Sequence, residues 1–235
     1  MQWTVRKRLG SSVQFDFNYT FSKSIDNASS FTGGGGGSLV QNPLDLRAER
    51  GLSSSDQRHR LALTYLLSSP VGIHGLWRNG GWKTRMLTGW TLSGNFSANS
   101  GAPLTAYVSG NLAGTTKGNA ISGNFRAEAT GQSVDSGAFP FFNENAFVAP
   151  PAGQYGNAGR NTIPGPALIS LSGALNRAWR FADTRRQLQL RLSANNVLNH
   201  VEITQFGTTV NSASYGLPTA ASGTRTVTLN LRFGF

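Results

Sequence analysis

Cysteine is absent from the chain, which removes disulfides, thiolate catalysis and cysteine-based metal sites. Charge is scarce as well: 13% of residues are Asp, Glu, Lys or Arg, against roughly 25% in a globular protein. Acids are the scarcer sign, 10 against 21 Lys and Arg, for a net charge of +11 over 235 residues. No run approaches the ~18 consecutive apolar residues of a membrane helix. The N-terminal MQWTVRKRLG lacks the apolar stretch of a secretory signal. The three histidines, His59, His74 and His200, have no metal-ligand spacing to one another.

On a soluble protein the positive charge would suggest nucleic acid. Here the basic residues are scattered towards segment ends and form no helix face, and attraction to anionic lipid headgroups explains them at least as well. Glycine is abundant at 29, and Ser, Thr and Asn make up much of the rest. A chain that is polar yet uncharged, rich in glycine and studded with aromatics fits alternating membrane strands joined by long outer loops. Disorder is the competing compositional reading, and the regular aromatic spacing counts against it.

Period-two alternation supplies the fold. Arg225–Phe235 sets Val227, Leu229, Leu231, Phe233 and Phe235 against Thr226, Thr228, Asn230, Arg232 and Gly234, a strand with one apolar and one polar face. A soluble sheet seldom leaves so apolar an edge free, whereas a closed barrel in lipid uses it. Six more segments alternate in the same way, so strands are expected at about 1–9, 12–21, 59–68, 84–99, 167–180, 186–197 and 225–235. The second, Val13–Phe21, has the 9 to 11 residues that cross a bilayer core when tilted by ~45°.

Connections alternate between short and long. Turns at 10–12, 68–83 and 182–185 contrast with loops at about 22–57, 100–166 and 198–224. If the terminal strand ends in the periplasm, every long loop falls outside and every short turn inside, which is the arrangement of outer-membrane barrels. Trp3, Trp77, Trp82, Trp90 and Trp179 are expected near the strand ends that meet the short turns, as an interfacial belt. Lys7 and Arg177 have lipid-facing parity near that rim, where long side chains reach headgroups. Seven strands cannot close as a bacterial barrel, where strand numbers are even. The expectation is one arc of a larger wall, with the missing strands and signal N-terminal of Met1.

No pattern supports an enzyme. The run Gly33–Gly37 is not followed by Gly-Lys-Ser/Thr and reads as a loop tip rather than a phosphate cradle. Serines occur without a Gly-x-Ser-x-Gly elbow. Asp26, Asp45, Glu49 and Asp56 share the first long loop without the spacing of a calcium loop. With Arg47, Arg50, Arg58 and Arg60 close by, they read as ion pairs within the loop. The glycosylation-like triplets at Asn18 and Asn95 fall inside expected strands, and the pattern at Asn27 is no stronger.

Six segments together resemble one family. They are SKSIDNAS from Ser22, SSSDQRHRL from Ser53, GWTLSGNFSANSGAPL from Gly89, FNENAFVAPPAGQYGNAGRNTIPGP from Phe142, RLSANNVLNH from Arg191, and the terminal strand. The chain is similar, over nearly all of its length and in the family's order, to the C-terminal barrel region of TonB-dependent receptors. The nearest group is the Oar-like branch, whose members carry an N-terminal carboxypeptidase-regulatory-like domain and which is abundant in Acidobacteria.

The resemblance implies an all-β, antiparallel transmembrane meander of about seven strands, part of a barrel of about 22 in the outer membrane of a Gram-negative bacterium. It implies a plug and a TonB box in the parent, uptake of a siderophore, oligosaccharide or peptide, and no transport by this segment alone. Expected partners are outer-membrane lipid and lipopolysaccharide, the barrel-assembly machinery, and in the parent the plug and TonB; no nucleic acid and no cofactor are expected. The terminal aromatic Phe235 resembles the signal read by the assembly machinery. Phe142, Asn143, Phe147, Gly156, Asn157, Gly159, Arg160, Asn161, Gly165 and Pro166 form an architectural loop motif. Its polar members would hydrogen-bond to backbone, and Gly156, Gly159 and Gly165 would supply positive φ. The rival readings are a surface adhesin or structural outer-membrane protein, and a soluble β-sandwich binding module.

Overall fold

The computed structural model describes residues 1–9, 12–27, 40–42, 44–69, 88–110, 112–114, 125–136, 141–181 and 186–235. The chain begins with β1 (Gln2–Leu9) and β2 (Val13–Phe21), then a two-residue ladder of β3 (Ile25–Asp26) with β4 (Gly51–Leu52). β5 (His59–Ser68) and β6 (Trp90–Asn99) follow. The second long loop carries β7 (Tyr107–Val108) paired with β8 (Phe125–Arg126), and β9 (Glu128–Ala129) paired with β10 (Phe147–Val148). β11 (Leu168–Arg180), β12 (Gln187–Asn195), the hairpin β13 (Glu202–Phe206)–β14 (Pro218–Ser222), and β15 (Thr226–Gly234) complete the chain. Two short 3-10 turns, Leu46–Glu49 and Glu144–Ala146, lie in the loops.

Seven strands form one antiparallel meander in the order β1-β2-β5-β6-β11-β12-β15. The fold is all-β, as the alternation predicts, and the strand bounds differ from expectation at two ends. β6 starts at Trp90 rather than near Thr84, because Thr88-Gly89 is a turn with Gly89 at φ 80°; residues 84–87 lie outside the described residues. β12 stops at Asn195 rather than Val197, because Asn196 takes φ 50° and leaves the strand. Residues 103–109 do not prolong β6 but turn into the loop layer, where Leu104 bridges to Ile163.

Side-chain parity never slips across the sheet. Residues directly opposite on antiparallel strands share a face. One row runs Leu9, Val13, Leu67, Leu92, Leu175, Leu192, Leu229, an aliphatic residue on every strand. The next row towards the long loops runs Lys7, Phe15, Tyr65, Gly94, Gly173, Ala194, Val227. The alternate residues make a mostly polar face of Ser, Thr, Asn, Gln, Arg and Asp16, interrupted by Leu66, Leu168 and a few alanines. On it Thr4 bonds Asn18 at 2.9 Å and Ser172 bonds Asn95 at 2.6 Å. A one-residue slip anywhere would throw a strand's apolar set onto that polar face, so the pattern fixes the register.

The rows also record a tilt. Leu9 is the last residue of β1, whereas Leu229 in the same row has five residues of β15 still ahead of it. Such a one-directional stagger is the shear of strands inclined to a barrel axis. Among the described residues no second sheet covers the apolar face. Val227, Leu229, Leu231 and Phe233 are 55–64% exposed, which excludes a packed β-sandwich for this surface.

Candidate functional site

The buried residues are not in the sheet. Apart from Ala174 and Arg177 on β11, every buried residue among those described belongs to the long loops. Ala106, Val108, Ala127, Phe142, Ala146, Phe147, Ala158 and Ile163 form one cluster, with Leu104, Leu112, Val134, Val210 and Tyr215 packed around it. Phe142, Ile163 and Val108 are wholly enclosed, each contributing about 1.5–3 kcal/mol by burial. The long loops at one end of the sheet therefore form a folded layer with a core of its own.

Buried polar contacts lock the first long loop to the second. Glu49 and Arg126, each about 95% buried, pair at 2.8 Å. Gln41 accepts from Arg126 N at 2.7 Å, donates to the Gly156 carbonyl at 2.9 Å, and donates its own N–H to Glu49 at 3.1 Å. Arg160 pairs with Asp26 and donates to the Asp26 carbonyl at 3.1 Å. These contacts correct the expectation of ion pairs internal to the first loop: among the described residues only Asp56 with Arg58, at 3.6 Å, is of that kind. Asp45 instead accepts from Arg47 N at 3.2 Å and caps a 3-10 turn. Residues 77 positions apart meet because the core seats both loops, which no local spacing reveals.

The motif from Phe142 to Pro166 sits at the centre of this layer. Asn143 donates to the Ser133 carbonyl at 3.0 Å and accepts from Asn145 N at 3.1 Å. Asn157 accepts from Ala129 N at 2.8 Å and donates to Glu128 at 2.6 Å. Asn161 donates to the Leu52 carbonyl at 2.6 Å and exchanges hydrogen bonds with Thr105, both at 2.9 Å. Phe142 meets Tyr215 edge-on at 5.5 Å, while Phe147 is buried in the cluster.

The glycines of that motif act differently from the expectation. Gly156, Gly159 and Gly165 do not adopt positive φ; in this stretch Gly153 (81°) and Asn161 (54°) do. Gly156 and Gly165 are instead sites of close approach, where a Cβ would collide with the backbone of Arg126 and Ala102. At Gly159 a Cβ would come within 2.9 Å of Thr162 Cγ2. Pro166 follows directly, where its carbonyl and Gly165 crowd Gly101.

The third loop joins through Tyr107, whose N–H donates to the Thr208 carbonyl at 2.9 Å and whose carbonyl accepts from Val210 N at 2.8 Å. Asn211 bonds both ways with Ser109 at 2.8 Å, and Tyr215 donates to the Glu144 carbonyl at 3.1 Å. Burial, aided by the nearby Glu144 carboxylate, pushes the Tyr215 phenol up to about 12. Asn196, in the left-handed region, donates to the His200 carbonyl at 2.7 Å and also to Gly223, tying the ends of this loop together.

The aromatic residues divide between two rims. Trp90 and Trp179 lie at the short-turn end, 6.2 Å apart and edge-on, with the Arg177 guanidinium 5.2 and 4.6 Å from their ring centres. Trp3 does not join them. It opens β1 opposite Tyr19 at the long-loop end, because β1 runs towards the first turn and not away from it. Near it, Tyr19 Oη bonds His59 Nδ1 at 2.7 Å, and Phe21 packs on the same imidazole at 5.2 Å. Trp77, Trp82, His74 and the Gly33–Gly37 run lie outside the described residues. Terminal Phe235 is 95% exposed, 6.4 Å from Phe233.

On the polar face a concavity of about 530 Å³ opens over β2, β5 and β6, lined by Gln14, Asp16, Thr64, Ser93 and Asn95 among others. Asp16 is paired there with Arg6. Leu66, Tyr65 and Gly94 share that lining, so the concavity is mixed in character rather than wholly polar.

Residues 1–228 match a family model described as an outer membrane beta barrel domain. No curated protein and no solved structure matches the chain.

Proposed function

The chain belongs to the outer membrane beta barrel domain family, and on that premise we propose that it forms wall and outer loops of a TonB-dependent receptor of the Oar-like branch. In this reading the apolar face meets lipid, the polar face lines the lumen, and the loop layer stands on the cell surface of a Gram-negative bacterium. The intact receptor takes up a siderophore, oligosaccharide or peptide with a plug and TonB, and this segment does not transport alone. The chain has no catalytic role; lipid, lipopolysaccharide and the assembly machinery are its partners. The carrying observation is the unbroken register, which gives all seven strands one apolar face and one polar face. The two edge strands, β1 and β15, each have one neighbour in the sheet among the described residues. Further strands of the barrel would satisfy them, since lipid cannot pair backbone N–H and C=O groups.

The folded loop layer favours a second reading, an adhesin or structural protein that binds at the surface without transport, because a rigid platform suits adhesion as well as capture. Accumulation of substrate in cells expressing the intact protein, with and without a proton uncoupler, separates the two. Uptake abolished by the uncoupler is expected for the receptor. Surface binding unchanged by it, with no accumulation, overturns transport.

A further inference from the structure

The polar face carries its charge unevenly. β1, β2 and β5 place Arg6, Arg8 and Arg60 there together with Asp16, which pairs with Arg6. β6, β11, β12 and β15 place Arg180, Arg191 and Arg232 there, with no acid on that face. Arg191 lies between Asn176 and Asn230, Arg232 lies opposite Gln189, and Arg180 lies opposite Gln187. Three exposed guanidiniums thus surround two amides near the short-turn end of three adjacent strands. Arg191 and Arg232 are diagonal neighbours, which puts them about 7–8 Å apart at the backbone. None of the three has an ion-pair partner among the described residues; Asp183 lies outside them.

Like charges held this close repel, and a lipid-backed wall screens them less than bulk water does. An anion relieves the repulsion, and the planar fork of arginine fits tetrahedral oxyanions with paired hydrogen bonds. The patch spans three strands spaced about 4.8 Å apart, the size of a small polyanion and not of an extended acidic segment.

We propose that Arg180, Arg191 and Arg232, with Gln187 and Gln189, form a lumenal site for a multivalent oxyanion, a solute bearing phosphate or sulfate groups. The site rests on the reading of the sheet as a barrel wall with its polar face inward. It is tested by calorimetric titration of the intact outer-membrane protein, extracted folded in zwitterionic detergent, with tripolyphosphate and in parallel with sucrose octasulfate. The expected result is binding that weakens with added salt and falls at least ~10-fold in R191Q/R232Q, while R47Q in the outer loops binds as the unaltered protein does. The stronger of the two probes assigns phosphate or sulfate chemistry.

Equal binding by R191Q/R232Q, or an equal loss in R47Q, overturns the site. Tighter binding of an oligoglutamate peptide overturns the solute in favour of an acidic polypeptide. If the double variant fails to insert, R191Q and R232Q are read singly, each expected to lose ~3-fold, and no loss in either overturns the site. Failure of the barrel reading is separate: the unaltered chain would then stay in solution without detergent.

Discussion

Tyr65 lies across Gly94, its partner in the adjacent strand: a Cβ built on Gly94 would come within 2.6 Å of the Tyr65 hydroxyl oxygen. Gly173 continues the row one strand further, where a Cβ would stand 3.2 Å from the same oxygen, and that oxygen is 3.4 Å from the Ser172 carbonyl. Two glycines in neighbouring strands would leave a bare strip of backbone on the apolar face. A ring laid over them covers it, the device by which aromatic side chains rescue glycines in sheets.

Filling that strip should disturb the wall. Gly94→Val is expected to destabilise the barrel by about 1–3 kcal/mol through overpacking against Tyr65 and the Ser172 backbone. The measurement is the temperature at which the folded, fast-migrating band disappears on unheated gels. An unchanged transition would mean that Tyr65 swings away at no cost.

The buried pair between Glu49 and Arg126 should matter to the loop layer and not to the wall. Removing one partner leaves an uncompensated buried charge, so Arg126→Ala is expected to cost about 3–5 kcal/mol in the layer. Limited proteolysis should then cut the outer loops at rates raised by orders of magnitude while the membrane-protected strands stay intact. Equal protection of the loops would refute the lock.

Alkaline pH should loosen the contact between the second and third loops. The Tyr215 phenol is held neutral by burial and by Glu144, so its folded value, about 12, lies above its ordinary value of 10.0. A raised acid binds its proton more tightly when folded. Its stabilisation is complete below pH 10 and is lost as pH climbs towards 12. Protease sensitivity at Tyr215 should rise in that window and stay flat across it in Tyr215→Phe. A rise in both would assign the effect to other groups.

The wall was legible in the sequence and the loop layer was not, for physical reasons visible in particular residues. Leu188, Leu190 and Leu192 alternate with Gln187, Gln189 and Arg191 because lipid and lumen demand opposite chemistry on alternate side chains. The register followed, since any slip inverts the faces. Half of the buried loop core is alanine, Ala106, Ala127, Ala146 and Ala158, and its large members, Val108, Phe142, Phe147 and Ile163, are scattered along the loop without a period to announce them. Its locks join residues remote in sequence, as Gln41 does to Gly156. The glycines of the long motif were legible as special positions. Whether each served a positive φ or a close approach depended on a neighbouring backbone that only the fold brings near. Trp3 was misplaced although the turn count placed it: β1 leads into the short connection at 10–12, so its first residues stand at the opposite, long-loop end beside Tyr19.

Phe235 bears on assembly. Deleting it is expected to lower outer-membrane levels severalfold in the intact protein, because a terminal aromatic exposed beside Phe233 resembles the element read by the insertion machinery. Quantitative blotting of membrane fractions checks this, and normal levels in the deletant would sink it.

Adjacent residues on one strand test which face meets lipid. Leu192 and Ser193 follow one another on β12 but point to opposite sides of the sheet. Leu192 belongs to the unbroken aliphatic row, between Leu175 and Leu229. Ser193 sits between Ala174 and Thr228 on the polar face. An arginine on the lipid face near the bilayer midplane costs about 2–4 kcal/mol, while a lumenal one stays hydrated. Leu192→Arg should therefore reduce folding yield in lipid vesicles and lower the unfolding midpoint in denaturant, and Ser193→Arg should change neither by a comparable amount. In a soluble sheet with its apolar face against a protein core, Leu192→Arg would again be the harmful change, but the protein would fold without vesicles. Requiring lipid for folding and rejecting arginine at Leu192 alone are together the signature of a membrane wall. Equal tolerance at the two positions would reverse or erase the faces.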